Sequence, residues 1–235
     1  MPRNNHVIII RFHYPKNHPD FLWRFHYFAA ITLPSILRQS IQDFDIAIWC
    51  NPRHAKLFKS LDKRIITFGI RGNYRDYITK PEHLDKAARG YFVDFVPWKA
   101  IRGLEKYEIQ TGLDSDDMMI DEHYLEKTRE VLAGSGTAHV CFNPSIFHVS
   151  TLRTFTCREK YGTSRGSAFF SLYQPKDRWE KYVFAYEESH LTISQMMDRQ
   201  IFVEENQCVA ISIHNRNVLT RIDIADKQVM FTVVP

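Results

Sequence analysis

Cysteine is scarce in this chain: of 235 residues only Cys50, Cys141, Cys157 and Cys208 are cysteine, and no two form a CxxC pair. That argues against a zinc ribbon or a dithiol redox site and predicts free thiols in a reducing, cytoplasmic setting. Long hydrophobic runs are lacking as well. The first apolar run, Val7 to Ile10, is too short for a signal-peptide core, and no later stretch approaches membrane-spanning length. The expectation is a soluble protein with no transmembrane segment, compatible with peripheral association at a membrane. Also missing are the GxSxG elbow, the GxxxxGK[ST] phosphate loop, the GxGxxG fingerprint and the HExxH zinc helix. The commonest serine hydrolases, P-loop NTPases, Rossmann dehydrogenases and zinc peptidases therefore drop from the first rank.

Excess charge is small too. Lys and Arg number 31 against 27 Asp and Glu, for a net +4 and a pI near 8.8. The basic residues are scattered among acids, so no nucleic-acid footprint is expected, and a small phosphorylated ligand suits the mild surplus better. The composition, 44% hydrophobic with 14% aromatic, is that of a folded protein. The length suits one large α/β domain, and no repeat, low-complexity tract or linker divides it.

Three short runs rich in β-branched and aromatic residues, "HVIIIRF" (6 to 12), "FDIAIWC" (44 to 50) and "RIITFGI" (64 to 70), read as strands. Between the first two, Phe21, Phe25, Phe28, Ala29, Leu33 and Ile36 recur at helical spacing, with Pro34 marking a kink or a break. "RHAKLFKSL" reads as a second helix. Alternation of strand and helix at this spacing predicts right-handed crossovers and a parallel sheet. Further on, a polar basic loop with a short helix from Pro81 leads to a strand at "YEIQTGL". Past it, "DEHYLEKTREVLAGSG" has acids at its start and Gly134 at its end, the marks of a helix. "TAHVCF" and "SIFHVST" read as an antiparallel addition, "EESHLTISQMM" as a helix, and "CVAISIH" and "QVMFTVV" as closing strands.

The chemistry concentrates in "TGLDSDDMM". Asp114, Asp116 and Asp117 place three carboxylates within four positions directly after a β-prone run. Charges that close repel and call for a positive partner, either basic side chains or a bound cation. In an open α/β sheet, ligands bind beyond the carboxyl ends of strands, which is where these acids fall. Carboxylate oxygens suit Mg²⁺ or Mn²⁺ shared with a substrate phosphate. A turn that merely caps the helix beginning near Asp121 explains the acids equally well. An EF-hand counted from Asp114 fails, because Met118, Met119 and Leu125 stand where an oxygen ligand, Gly and Glu are needed.

In chain order, "RFHYP", "FLWRFHYFAAITLPSILRQSIQDFDIAIW", "TGLDSDDMM", "SAFFSL" and "VAISIHNRNV" together resemble the putative rhamnosyltransferase family over nearly the whole chain. The resemblance implies a GT-A-like domain: a Rossmann-like mixed sheet with parallel N-terminal strands, antiparallel additions and helices on both faces. Residues 1–117 would bind the nucleotide and 118–235 the acceptor. It implies a UDP- or dTDP-sugar donor, with rhamnose the expected sugar, and a glycan or glycoconjugate hydroxyl as acceptor. The divalent ion would sit on Asp114 and Asp116, beside Asp117, with His214 of "ISIHNRN" as a further ligand. Arg11 and Arg102 would meet the diphosphate; Arg71 and Arg75 are looser candidates. Tyr74, Tyr77 and Trp98 could stack on a sugar face or on uracil. Glu188, or Glu187 beside it, would take the proton from the acceptor in an inverting transfer, whereas a retaining transfer would need neither.

Each position also has a plain structural reading: a salt bridge for Arg11, a structural role for His214, and a helix-dipole preference for the glutamates. Two rival functions follow from the same acids. A nucleotidyltransferase would release pyrophosphate rather than a nucleoside diphosphate, and a non-catalytic nucleotide- or sugar-binding module would turn nothing over.

Overall fold

Strand β1, His6–Phe12, lies at the heart of a seven-stranded sheet because its apolar run is buried on both faces. A computed structural model describes residues 5–12, 19–69, 103–134, 136–149, 152–157, 169–175, 183, 185, 190–204, 208–213 and 231–233. Alternate side chains of β1 enter different cores. Ile8, Ile10 and Phe12 join a cluster with Phe21, Phe28, Leu33, Ile36, Phe58, Tyr124 and Leu132, which come from helices. Val7 and Ile9 join a second cluster with Leu172 and Ile193. Helices thus cover both faces, as expected.

β1 is followed by α1 (Phe21–Tyr27), a π-helical segment (Phe28–Thr32) and α2 (Leu33–Leu37). Helical backbone is continuous across all three, so Pro34 does not break the helix. It stands two positions past the π segment, in the first turn of α2, where a missing amide donor is tolerated. Next come β2 (Phe44–Cys50), α3 (Ala55–Lys59), β3 (Ile65–Gly69) and β4 (Ile109–Asp114). β2 pairs parallel with both β1 and β3, and β4 pairs parallel with the other side of β1. The predicted parallel half of the sheet is therefore present.

β5 is only Met118–Met119, and the helix Tyr124–Leu132 follows it. Gly134, just past that helix, takes φ +140°, a conformation glycine adopts without strain. β6 (Ala138–Phe142) and β7 (Ser145–His148) are antiparallel additions as expected, β6 to the strand Phe170–Tyr173 and β7 to the strand Arg153–Cys157, but they do not pair with each other. Pro144, which lacks an amide donor, stands between them, and each joins a different sheet. The remaining strands are β8 (Arg153–Cys157), β9 (Phe170–Tyr173), β10 (Arg199–Val203), β11 (Val209–Ile213) and β12 (Phe231–Val233), with the helix His190–Gln195 ahead of β10.

The large sheet runs β10-β6-β9-β4-β1-β2-β3, with β9 antiparallel to both β4 and β6. A five-stranded sheet, β12-β8-β7-β11-β5, was not anticipated. The turn between β4 and β5 passes from one sheet to the other, and it carries the acidic cluster. Cys50, Cys141 and Cys208 are buried free thiols, as expected. Among the described residues, no helix is long and apolar enough to cross a membrane.

His6, fully buried at the start of β1, is hydrogen-bonded to Thr111 Oγ1 at 2.8 Å, with Arg129 nearby. Burial, reinforced by the Arg129 charge, pulls its pKa down from 6.5 to about 3. The folded chain therefore refuses a proton that the unfolded chain binds below pH 6.5, and stability falls as pH drops from 6.5 towards 3. The loss should approach about 1.4 kcal/mol per pH unit from this residue. Urea unfolding at pH 7.5, 6 and 5 should show a shallower decline for His6→Gln than for wild type. Equal slopes would mean that His6 does not hold this proton balance.

Candidate active site

The chain leaves β1 towards β2 and β3 on one side and returns on the other side as β4. The strand order thus reverses at β1, and in open α/β sheets ligands bind beyond the carboxyl ends of the strands at such a point, here those of β1 and β4. Arg11 and Asp114 are register partners there. Arg11 Nη2 donates to Asp114 Oδ1 at 2.6 Å, and the Asp114 side chain remains 34% exposed. This ion pair forms the open part of the corner.

Asp116 points inward, to Arg24 of α1. The guanidinium Nη1 donates to Asp116 Oδ2, with only 7% of the arginine side chain and 12% of the aspartate side chain exposed. Asp117 is buried deeper and accepts the backbone N–H of Ser212 in β11 at 3.0 Å. Ser212 Oγ is in turn hydrogen-bonded to Tyr27 of α1 at 2.8 Å. Burial, chiefly, and the neighbouring charges of Asp116 and Asp114 hold the Asp117 carboxyl well above the usual carboxylate range. The tyrosine is pushed up to about 12 by burial against the opposing effect of its bond to Ser212.

The helical run from α1 to α2 fixes this turn in place. Thr32 Oγ1 donates to the Ser115 carbonyl at 3.1 Å, and the Met119 N–H donates to Ser35 Oγ at 3.1 Å. Gln39 just beyond the helix donates to the Asp121 carbonyl at 2.8 Å and accepts from the Leu125 N–H at 3.0 Å. These side chains satisfy backbone groups that a crossing between two sheets leaves without ladder partners. The acidic turn is thus bound on one side by α1 and α2 and on the other by β11.

The three carboxylates have separate partners: Arg11, Arg24 and the Ser212 amide. Among the described residues, no three His, Cys, Asp or Glu side chains come together as a cage for a metal ion. Mg²⁺ and Mn²⁺ do not need such a cage, since one or two carboxylates plus substrate phosphates commonly suffice. Asp114 keeps about a third of its side chain exposed at this corner, and carboxylate oxygens are hard donors. The donor chemistry is thus that of a hard divalent ion, with Asp114 the more exposed carboxylate and Asp116 behind it on Arg24.

Of the residues expected from sequence, Arg11, Asp114, Asp116 and Asp117 are brought together. Arg102, Glu187, Glu188 and His214 lie outside the described residues, as do Arg71, Arg75, Tyr74, Tyr77, Trp98 and the helix expected from Pro81. Their approaches are described for two of them. Ser212, two positions before His214, is the residue bonded to Asp117. Val183 and Ala185, just before Glu187, are held by two buried glutamines. Gln110 of β4 donates to the Val183 carbonyl at 2.9 Å and accepts from the Ala185 N–H at 3.1 Å. Gln174 donates to the same carbonyl at 2.7 Å and accepts from the Val183 N–H at 2.8 Å.

Arg24, Tyr27 and Ser212 were missed as site residues. For Arg24 a signal existed: it stands three residues after Phe21 and four before Phe28, a charge on the apolar stripe of its helix.

Structures of S. aureus TarS 1–349 share this architecture. The complex with UDP-GlcNAc aligns at a TM-score of 0.52 and 10% identity, over 90% of this chain and 59% of that one. The complex with UDP aligns at 0.53 and 8% identity, over 88% and 60%. A further structure of TarS 1–349 gives 0.51 and 9%, over 88% and 60%. This chain therefore spans about 60% of the length of those 1–349 chains, and the likeness is one of fold, GT-A-like. No curated protein sequence matches. The family model for putative rhamnosyl transferases matches residues 18–225, a span holding α1, the acidic turn and β11. On that match the chain belongs to the putative rhamnosyl transferase family, a glycosyltransferase family.

Proposed function

We propose that the protein is a metal-dependent glycosyltransferase that moves a sugar, with rhamnose the expected one, from a UDP- or dTDP-sugar to a hydroxyl of a glycan or glycoconjugate. The observation that carries this reading is the meeting of Arg11 and Asp114 at the sheet's switch point, with Asp116 and Asp117 directly behind. A guanidinium beside carboxylates offers a diphosphate both a forked donor and a shared cation. The TarS complexes with UDP and UDP-GlcNAc support a nucleotide-sugar donor by likeness of fold. In this reading residues 1–117 hold the donor nucleotide and 118–235 the acceptor.

Asp114 and Asp116 would hold Mn²⁺ or Mg²⁺, with Asp117 beside them and His214 as a further ligand. When bound, such an ion neutralises the departing diphosphate, so that no protein acid is needed at the leaving group. Arg11 orients the donor, and Arg102 adds a second guanidinium to the phosphates. Asp117 fastens the turn to β11, which leads directly to His214. Glu188, with Glu187 beside it, is the base that accepts the acceptor proton. The glutamine clamp supports this role, because it ties the segment ahead of these glutamates to β4, the strand that ends at Asp114.

Product analysis tests the reading. With an acceptor glycan, the protein should convert UDP- or dTDP-rhamnose to the nucleoside diphosphate and a glycosylated product. Release of pyrophosphate would instead identify a nucleotidyltransferase, and no turnover of any donor would leave a binding module.

A further inference from the structure

Arg24 occupies a helix position at which a hydrophobe would pack well. Its neighbours on the α1 stripe, Phe21 and Phe28, belong to the core, and Arg24 itself is buried with them. Taking a guanidinium and a carboxylate out of water costs several kcal/mol per ion, and well-packed hydrophobic replacements of such pairs are often neutral or stabilising. Stability alone is therefore a weak reason for the pair. With only 7% of its side chain exposed, Arg24 is also too enclosed to grip a donor diphosphate directly, unlike Arg11 at 19%. What it does touch is Asp116, in a turn held on its other side by Ser212.

We propose that Arg24 is a positioning residue for the active site: it fixes the orientation and negative charge of Asp116, so that this carboxylate is preset to share a divalent cation with a nucleoside diphosphate. The inference rests on the glycosyltransferase reading above and adds to it a residue that acts through Asp116. Partners of metal-binding carboxylates typically alter metal affinity by about 10–100-fold when removed. The Thr32 and Ser35 hydroxyls bind neighbouring parts of the same turn and Tyr27 binds Ser212, the β11 partner of Asp117, so Arg24 acts within a frame already fixed in place.

The test is calorimetric titration of wild type, Arg24→Met and Arg24→Lys with UDP across a series of Mn²⁺ concentrations, with the fold of each checked by circular dichroism. Arg24→Met leaves a buried carboxylate uncompensated and is the variant at risk of unfolding; Arg24→Lys keeps the charge but loses the planar fork. The Mn²⁺ concentration that gives half of the full gain in UDP affinity should rise at least about tenfold in Arg24→Met and by less in Arg24→Lys. UDP affinity without Mn²⁺ should be unchanged. Folded variants with the wild-type Mn²⁺ requirement would overturn the proposal and leave the glycosyltransferase reading standing. Failure of both variants to fold would also overturn it, assigning the pair to the core alone. Wild type with no Mn²⁺-linked UDP binding would sink the reading on which it rests.

Discussion

Asp116→Ala is expected to abolish donor turnover and also to lower the unfolding free energy by about 3–5 kcal/mol, because it strands a buried guanidinium. Arg24 and Asp116 lie 92 positions apart in sequence and meet with little solvent around either side chain. An alanine at 116 removes a candidate ion ligand and the counter-charge of Arg24 in one step, so loss of activity in that variant alone would not separate chemistry from folding. Asp116→Asn separates them. It retains an oxygen that can accept from Arg24 but carries no charge for a cation, so it should fold with a smaller loss and still fail to turn over a nucleotide-sugar. Urea unfolding and donor turnover, measured on both variants, check this. Wild-type stability in Asp116→Ala would contradict the buried pair, and full turnover in Asp116→Asn would remove Asp116 from the site.

Glu188→Gln should lower transfer by about 10²–10⁴-fold, the range for losing a positioned general base, while leaving donor binding intact. The substitution preserves shape and hydrogen-bonding capacity and removes only the ability to take a proton. The backbone leading to it is fastened at Val183 and Ala185 to glutamines that are themselves almost fully buried, so a change at 188 lies beyond an anchored segment. Steady-state transfer rates and nucleotide titration check the two halves of the expectation. A wild-type rate would exclude Glu188 as the base, and loss of donor binding would make it a donor-binding residue instead.

The parallel half of the fold was legible because its signal is local. The boundaries of β1 and β2 match the apolar runs residue for residue, since strands buried on both faces read as continuous apolar segments. The acidic turn was legible for a related reason: three like charges after such a run are unusual at any strand end. The five-stranded sheet was not legible. β5 is two residues long and shows no period, and its partner β11 lies some ninety positions away. β10 escaped notice in the same way, as a short run whose pairing with β6 spans 61 positions. The role of Arg24 was half visible. Its place on an apolar stripe could be read from spacing, but its partner could not, because only the packing of α1 against the turn brings Asp116 to it. Asp117 shows the same limit: the sequence put it with the other two acids, and the structure gives it a backbone amide of β11 as partner.

Isothermal titration of the wild-type protein with UDP and with dTDP, each with and without Mn²⁺, asks whether the acidic corner is a nucleotide site. One of the two nucleotides should bind, and Mn²⁺ should strengthen the binding. Folded protein that binds neither nucleotide under either condition would contradict it, and the carboxylates of Asp114, Asp116 and Asp117 would then be a structural turn.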